Sequence, residues 1–303
     1  MSLFSADIFL VTVTYNAEKD VKEFFECFFQ LDTKNIHLIV VDNASSDSTT
    51  ELIGEIESER QDVTLISNSV NRGVAAANNQ GIKLALREKA SWVVLINNDV
   101  SFSGDLINNL IRDKREKVTV PLIPYYSDPD TIWFSTGRFS ALRGFTGTHI
   151  DKDRSIETLS VGSTSYSEYA PTCCMAIQAE VFSVVGLMDE SFFVYFDDTD
   201  FCWRLKNAGI RIRAVHDTLL LHKVGSSTGG ADSPFTVKYT SRNRVYFLKK
   251  NKGLAAALLF LPIFLGYYFY KYAFKSWLPD LLLLAARGLY LGYFLGPRND
   301  GSS

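Results

Sequence analysis

Four short, mainly apolar runs punctuate the first hundred residues, at 8–13, 36–41, 63–66 and 92–96. Helix-length stretches at 18–30, 48–59 and 74–89 separate them. Runs this continuous bury both faces of a strand, and the intervening helices supply the cover. The pattern predicts an α/β fold: a mostly parallel sheet flanked by helices. Ligands of such sheets bind beyond the carboxyl ends of the strands. The residues that follow each run are therefore the informative ones.

Thr14-Tyr15-Asn16 follows the first run, and Asp42-Asn43-Ala44-Ser45-Ser46-Asp47 the second. Asn68-Ser69-Val70-Asn71-Arg72-Gly73 follows the third, and Asn97-Asn98-Asp99 the fourth. Ordinary turn chemistry accounts for any one of these. Four on one edge favour a binding site, and their ring, carboxylates, amides, Arg and Gly suit a nucleotide. No Gly-x-Gly-x-x-Gly follows the first run and no Gly-Lys-Ser/Thr loop occurs, which argues against dinucleotide and P-loop sites. A bound diphosphate then needs another counter-charge, most simply a metal. Asp99 offers a hard oxygen ligand for Mg²⁺ or Mn²⁺.

Further along, Phe196-Asp197-Asp198-Thr199-Asp200-Phe201 sets carboxylates among aromatics. Charges in apolar surroundings have partners or a task. Asp198 fits a general base. It equally fits a first-turn acid of a helix running to Asn207 and stopping at Gly209.

The net charge of −3 over 303 residues gives no basic field for nucleic acid. Cys27, Cys173, Cys174 and Cys202 form no Cys-x-x-Cys pair, which points to a reducing compartment. The start lacks the basic region of a secretory signal. Trp133, in an aromatic-sprinkled stretch, is either a sugar-stacking ring or a core or lid aromatic.

The tail changes character. Residues 253–270 carry no charge, and a second apolar run at 278–295 is broken by Asp280 and Arg287. Lys249, Lys250, Lys252, Lys271 and Lys275 flank the first run. Basic flanks and aromatic rings suit a membrane interface. Two units are expected: a catalytic domain at 1–250, then apolar helices at 251–303. Those helices lie in a membrane interface or form an oligomer, and Asn299 to Ser303 fray.

Taken in order, these segments resemble glycosyltransferase family 2, especially its rhamnosyltransferase-like members. The carriers are Val13 to Asn16, Val41 to Asp47, Asn71 to Gly81, Asn97 to Asp99, Phe193 to Arg204, and His222-Lys223-Val224-Gly225-Ser226. The resemblance implies a GT-A fold and a nucleotide-sugar donor, dTDP-L-rhamnose first and a UDP-hexose second. It implies that Thr14, Tyr15 and Asn16 line the nucleoside site and that Asp42 reads the base. It puts Asn71, Arg72 and Gly73 near the donor, and Asn97, Asn98 and Asp99 at the family's metal motif. Asp198 becomes the base of an inverting transfer, and His222 a second ligand for Mn²⁺ or Mg²⁺. The implied acceptor is a glycan, expected to be lipid-linked, at the cytoplasmic face of the membrane. Two departures are Lys223, where a second histidine is common, and Thr172-Cys173-Cys174-Met175, bulkier than the family's small residues and thus able to reshape the sugar pocket. A catalytically silent nucleotide-sugar-binding scaffold is the reading from another class.

Overall fold

The computed structural model describes residues 7–31, 35–159, 165–224, 230, 232–275 and 278–294. Gly225, Ser226 and the terminal Asn299 to Ser303 fall outside them.

The first half alternates strand and helix: β1 (Ile8–Thr14), α1 (Glu18–Phe29), β2 (Ile36–Asp42), α2 (Thr49–Glu59), β3 (Val63–Ser67), α3 (Val74–Arg87) and β4 (Trp92–Ile96). Strands β3, β2, β1 and β4 lie side by side in that order and run parallel. Thr14 pairs with Asp42, and Asp42 with Ser67, so the polar tips share one edge as the apolar runs predict. The strands are buried because helices cover them. Helix α1 turns Val21, Phe24, Phe25 and Phe28 inward at helical spacing.

After β4 the pattern becomes mixed. β5 (Val100–Phe102), α4 (Leu106–Leu110), β6 (Val118–Tyr125) and β7 (Asp128–Phe134) lead to a separate hairpin of β8 (Thr136–Ser140) and β9 (Thr146–Ile150). β10 (Ser165–Ser167), β11 (Cys174–Gln178), α5 (Ala179–Val185), α6 (Asp197–Asn207) and β12 (Ile212–His222) complete this part. β11 inserts antiparallel between β4 and β6, and β12 runs parallel to β6. The sheet is thus mostly, not wholly, parallel. Cys173, Cys174 and Met175 are buried in or beside β11. They belong to the hydrophobic core, with Cys173 close enough to Asp99 to feel its charge. All four cysteines are buried thiols.

Three helices close the chain: α7 (Pro234–Lys252), α8 (Leu254–Phe269) and α9 (Pro279–Phe294), with a π-helical segment (Tyr270–Lys275) after α8. They share a second core that includes Val237, Val245, Phe264, Tyr268, Ala285 and Leu289. Gly288 and Gly292 let α9 approach α7 closely: a Cβ on Gly292 would lie 2.1 Å from the Arg242 carbonyl oxygen. The other side of α7 is bonded to the first part of the chain. Asn243 donates to the carbonyls of Val194 and Tyr195 at 2.8 and 2.9 Å. Asp200, fully buried, receives Arg204 at 2.9 Å, Lys250 at 2.8 Å and Asn251 at 2.9 Å. Three donors satisfy a carboxylate that would otherwise be costly to bury. The stretch Leu254–Phe274 is long and apolar enough to cross a membrane, and most of it is exposed.

Candidate active site

The tips of β1 to β3 are cross-braced. Asp42 accepts Thr14 Oγ1 at 2.9 Å and the Ser45 amide at 2.9 Å, and also the Ser45 hydroxyl. Asn16, at positive φ, accepts the Ser46 amide at 2.8 Å through its side chain. Tyr15 between them stands open to solvent. Asn43 ties the next tip: its side chain accepts the Arg72 amide at 3.0 Å and donates to the Gly73 carbonyl at 3.2 Å. The Asn71 side chain accepts the Gly73 amide at 2.9 Å. Gly73 has φ of 86°, and a Cβ there would lie 2.3 Å from the Phe193 carbonyl oxygen. Only glycine fits, and this contact sets the tip of α3 against the segment that leads into α6. Arg72 is exposed.

Asn97, Asn98 and Asp99 form the tip of β4, with the Asn97 amide bonded to the Cys173 carbonyl at 2.9 Å. Pairing of β12 with β5 sets His222 opposite Val100 and so beside Asp99. His222 Nε2 and Asp99 Oδ1 are 3.4 Å apart, both side chains largely buried. Lys223, the departure noted above, turns away to Asp20 and Glu23 at 2.9 and 2.7 Å. One carboxylate and one imidazole facing each other at this distance fit a shared divalent cation, and the oxygen–nitrogen set suits Mn²⁺ at least as well as Mg²⁺. Among the described residues no group of three or more ligating side chains occurs. The protein would thus supply two donors and leave the other positions to diphosphate and water.

Asp198 lies in the first turn of α6 and borders a cleft of about 470 Å³ between this turn, the β8–β9 hairpin, α7 and α8. Tyr169 Oη donates to it at 2.8 Å and the Thr199 amide at 2.6 Å. Burial pushes the Asp198 carboxyl above the usual range, while Tyr169 and Thr199 draw it back by favouring the anion. Asp197 is pushed up by burial and then by the charge of Asp198. With fewer donors, Asp197 is the member of the pair that keeps a proton. Tyr169, raised by its own burial, stays a neutral donor.

A file of rings joins the two ends. The Trp133 ring lies 4.5 Å from His222 and 4.8 Å from His149; His149 stacks on Tyr169 at 5.9 Å; and Tyr169 holds Asp198. His149 Nδ1 donates to the Trp133 carbonyl at 2.8 Å, and burial lowers its basicity, so it stays neutral. Of Trp133's two sequence readings, the structure gives a wall ring between the two halves of the site. Tyr169, Thr199 and His149 escaped the sequence reading. Tyr169→Phe should raise the Asp198 pKa and shift the acid limb of the kcat/KM profile up by roughly one pH unit, the size of one hydrogen bond. A limb that does not move would detach Tyr169 from the titration of Asp198.

The Glycosyl transferase family 2 profile matches residues 9–177. The chain belongs to that family. This glycosyltransferase is 26% identical over 260 residues to the dTDP-rhamnosyl transferase RfbF of Shigella flexneri, with 82% of this chain and 81% of that one covered. It is 24% identical over 273 residues to the N-acetylglucosaminyl-diphospho-decaprenol L-rhamnosyltransferase of Mycobacterium tuberculosis, covering 80% and 85%. Among solved structures, TarS residues 1–349 of S. aureus with UDP-GlcNAc superposes with a TM-score of 0.56 at 14% identity, covering 95% of this chain and 81% of that one. The mannosyltransferase PcManGT of Pyrobaculum calidifontis, in complex with GDP-Man and Mn²⁺, gives 0.53 at 17%, covering 97% and 77%. The family 2 enzyme therefore has the GT-A fold, with a C-terminal apolar helical appendage.

Proposed function

We propose that the enzyme is an inverting, metal-dependent rhamnosyltransferase that moves L-rhamnose from dTDP-L-rhamnose to a lipid-linked glycan. The observation that carries the reaction is the single file of rings running from the Asp99–His222 pair to Asp198. It supports one site with a diphosphate at one end and a base at the other. The donor rests on two relatives named as rhamnosyltransferases, each matched over about four fifths of both chains.

Asp198 takes the proton of the acceptor hydroxyl as that oxygen forms its bond to the anomeric carbon. The bond from that carbon to the diphosphate oxygen breaks on the opposite face, and its electron pair leaves with the nucleoside diphosphate. Tyr169 and Thr199 hold Asp198 ionised and fixed in direction. Asp99 and His222 would hold the cation, which when bound neutralises the diphosphate and eases its departure. Thr14, Tyr15, Asn16 and Asp42 cup the nucleoside; Asn71, Arg72, Gly73, Asn97 and Asn98 border the sugar diphosphate.

A hydrolysis screen across nucleotide sugars with Mn²⁺ tests this reading. dTDP-L-rhamnose should turn over fastest. Preference for a UDP-hexose would replace the donor, and binding without turnover of any donor would leave a scaffold.

The outer face of α8, with Leu258, Leu259 and Phe269 exposed and Tyr270 of the π-helical segment beyond it, supports a peripheral position on the cytoplasmic membrane face, where a lipid-linked acceptor is presented. The protein should float with anionic liposomes and detach in high salt. A salt-insensitive dimer that ignores liposomes would assign this face to a second copy instead.

A further inference from the structure

The cleft beside Asp198 carries two arginines that nothing above employs. Arg244 projects from α7, and Arg143 from the turn between β8 and β9. Other cations of α7 are engaged: Arg242 with the Ser191 carbonyl, Lys249 with that of Tyr293, and Lys250 with Asp189 and Asp200. Arg244 has no hydrogen bond or ion pair among the described residues. Its guanidinium is boxed by rings instead, 5.1 Å from the centre of Phe264 and 5.5 Å from that of Tyr267. Arg143 likewise has no carboxylate partner there. Gly144, next to it, packs against Phe264, and this contact fixes the turn beside α8.

Two planar cations without anions, on the rim of a site with a carboxylate base, call for a phosphate group. The same cleft is lined by Asp198 and Thr199 of α6, by the two arginines, and by Ile263 and Tyr267 of α8. Ile263 and Tyr267 are themselves half open to solvent, so the cleft leads onto the exposed apolar face of α8. A carboxylate, two cations and an apolar exit in one cleft match the three joined parts of a lipid-linked acceptor: a sugar, a diphosphate and a prenyl chain.

We propose that this cleft is the acceptor site, that Arg244 and Arg143 grip the diphosphate of a prenyl-diphosphate-linked sugar, and that its lipid leaves along α8. The inference rests on the reading of the enzyme as one that acts on lipid-linked glycans, and it adds the linking group and the residues that read it.

Calorimetry with farnesyl diphosphate, in EDTA and below its micelle threshold, tests it. The wild-type protein should bind, and Arg244→Gln should weaken binding by about 10- to 100-fold, as expected for losing a hydrogen bond to a charged group. Arg244→Lys should fall between. Arg143→Gln, on an exposed turn, should weaken binding too and keeps the test intact if Arg244→Gln does not fold. Equal affinity of wild type and both glutamine variants overturns the proposal. So does farnesol binding as tightly as farnesyl diphosphate. Displacement of the probe by dTDP with Mn²⁺ also overturns it, because the diphosphate would then sit in the donor site. No nucleotide sugar enters the main measurement, so a failed donor screen with farnesyl diphosphate still held by the arginines discards the donor and not the cleft.

Discussion

Asp198→Asn should keep the fold and donor binding while cutting turnover by roughly 10²- to 10⁴-fold, the usual weight of a positioned general base. The amide keeps the size of the side chain, its oxygen can still accept from the Thr199 amide, and its NH2 can donate to the Tyr169 hydroxyl once that turns, but it cannot take a proton. Asp197→Asn should hurt less, because an amide resembles the protonated carboxyl we assign there. Asp197→Asn should also change stability in a set direction. A carboxyl raised in the folded state stabilises fully only below its unfolded pKa, and that contribution is lost as pH rises through the folded pKa. The variant should therefore outlast the wild type in thermal melts at mildly alkaline pH and lose that advantage in acid. Equal kinetic losses for the two variants would remove Asp198 from the role of base.

Chelation is the second large effect. EDTA should abolish transfer, with Mn²⁺ or Mg²⁺ restoring it, and Asp99→Ala should lower turnover at least about a hundredfold. His222→Ala should chiefly weaken the response to added metal, since imidazole is one of two protein donors. Asp99→Ala should also weaken dTDP binding measured with Mn²⁺ and leave that measured in EDTA almost unchanged, which separates a metal ligand from a folding defect. Full activity in EDTA would dismiss the cation and return the Asp99–His222 contact to the role of a buried polar pair.

The first hundred residues were legible because each element carries a strong local signal. Continuous apolar runs marked β1 to β4, and polar residues at their ends marked the edge where Tyr15, Asp42, Arg72 and Asp99 gather. Asp198 was legible as an acid out of place among aromatics. Tyr169 and His149 were not. Each meets its partner through long-range packing, Asp198 for one and Trp133 for the other; Tyr169 lies outside any helix or strand, and β9, which holds His149, has no apolar alternation. β11 was unreadable as an antiparallel intruder, because a short buried strand has the same composition whichever way it runs. Helix α7 hid for the opposite reason. Its many charged residues mask two buried faces, Val237, Ser241, Val245 and Leu248 on one and Asn243, Tyr246 and Phe247 on another. Arg244 was lost in that same run of cations, because a sequence does not tell a paired arginine from an unpaired one.

Helix α7 has a consequence for anyone recombining such enzymes. One of its sides is bonded to the peptide carbonyls that precede the Asp198 turn and to buried Asp200, and another is fitted to the glycines of α9. A chimera spliced where the composition changes, after Lys252, would join a helix shaped for one tail to the grooves of another, and the mismatch would reach the base. The seam belongs ahead of Pro234, so that α7 travels with the tail; residues that face Val194, Tyr195 and Asp200 must then be matched to the host. Relatives that exchange whole tails in nature should keep or lose Asn243, Lys250 and Asn251 together with their acceptors across this seam.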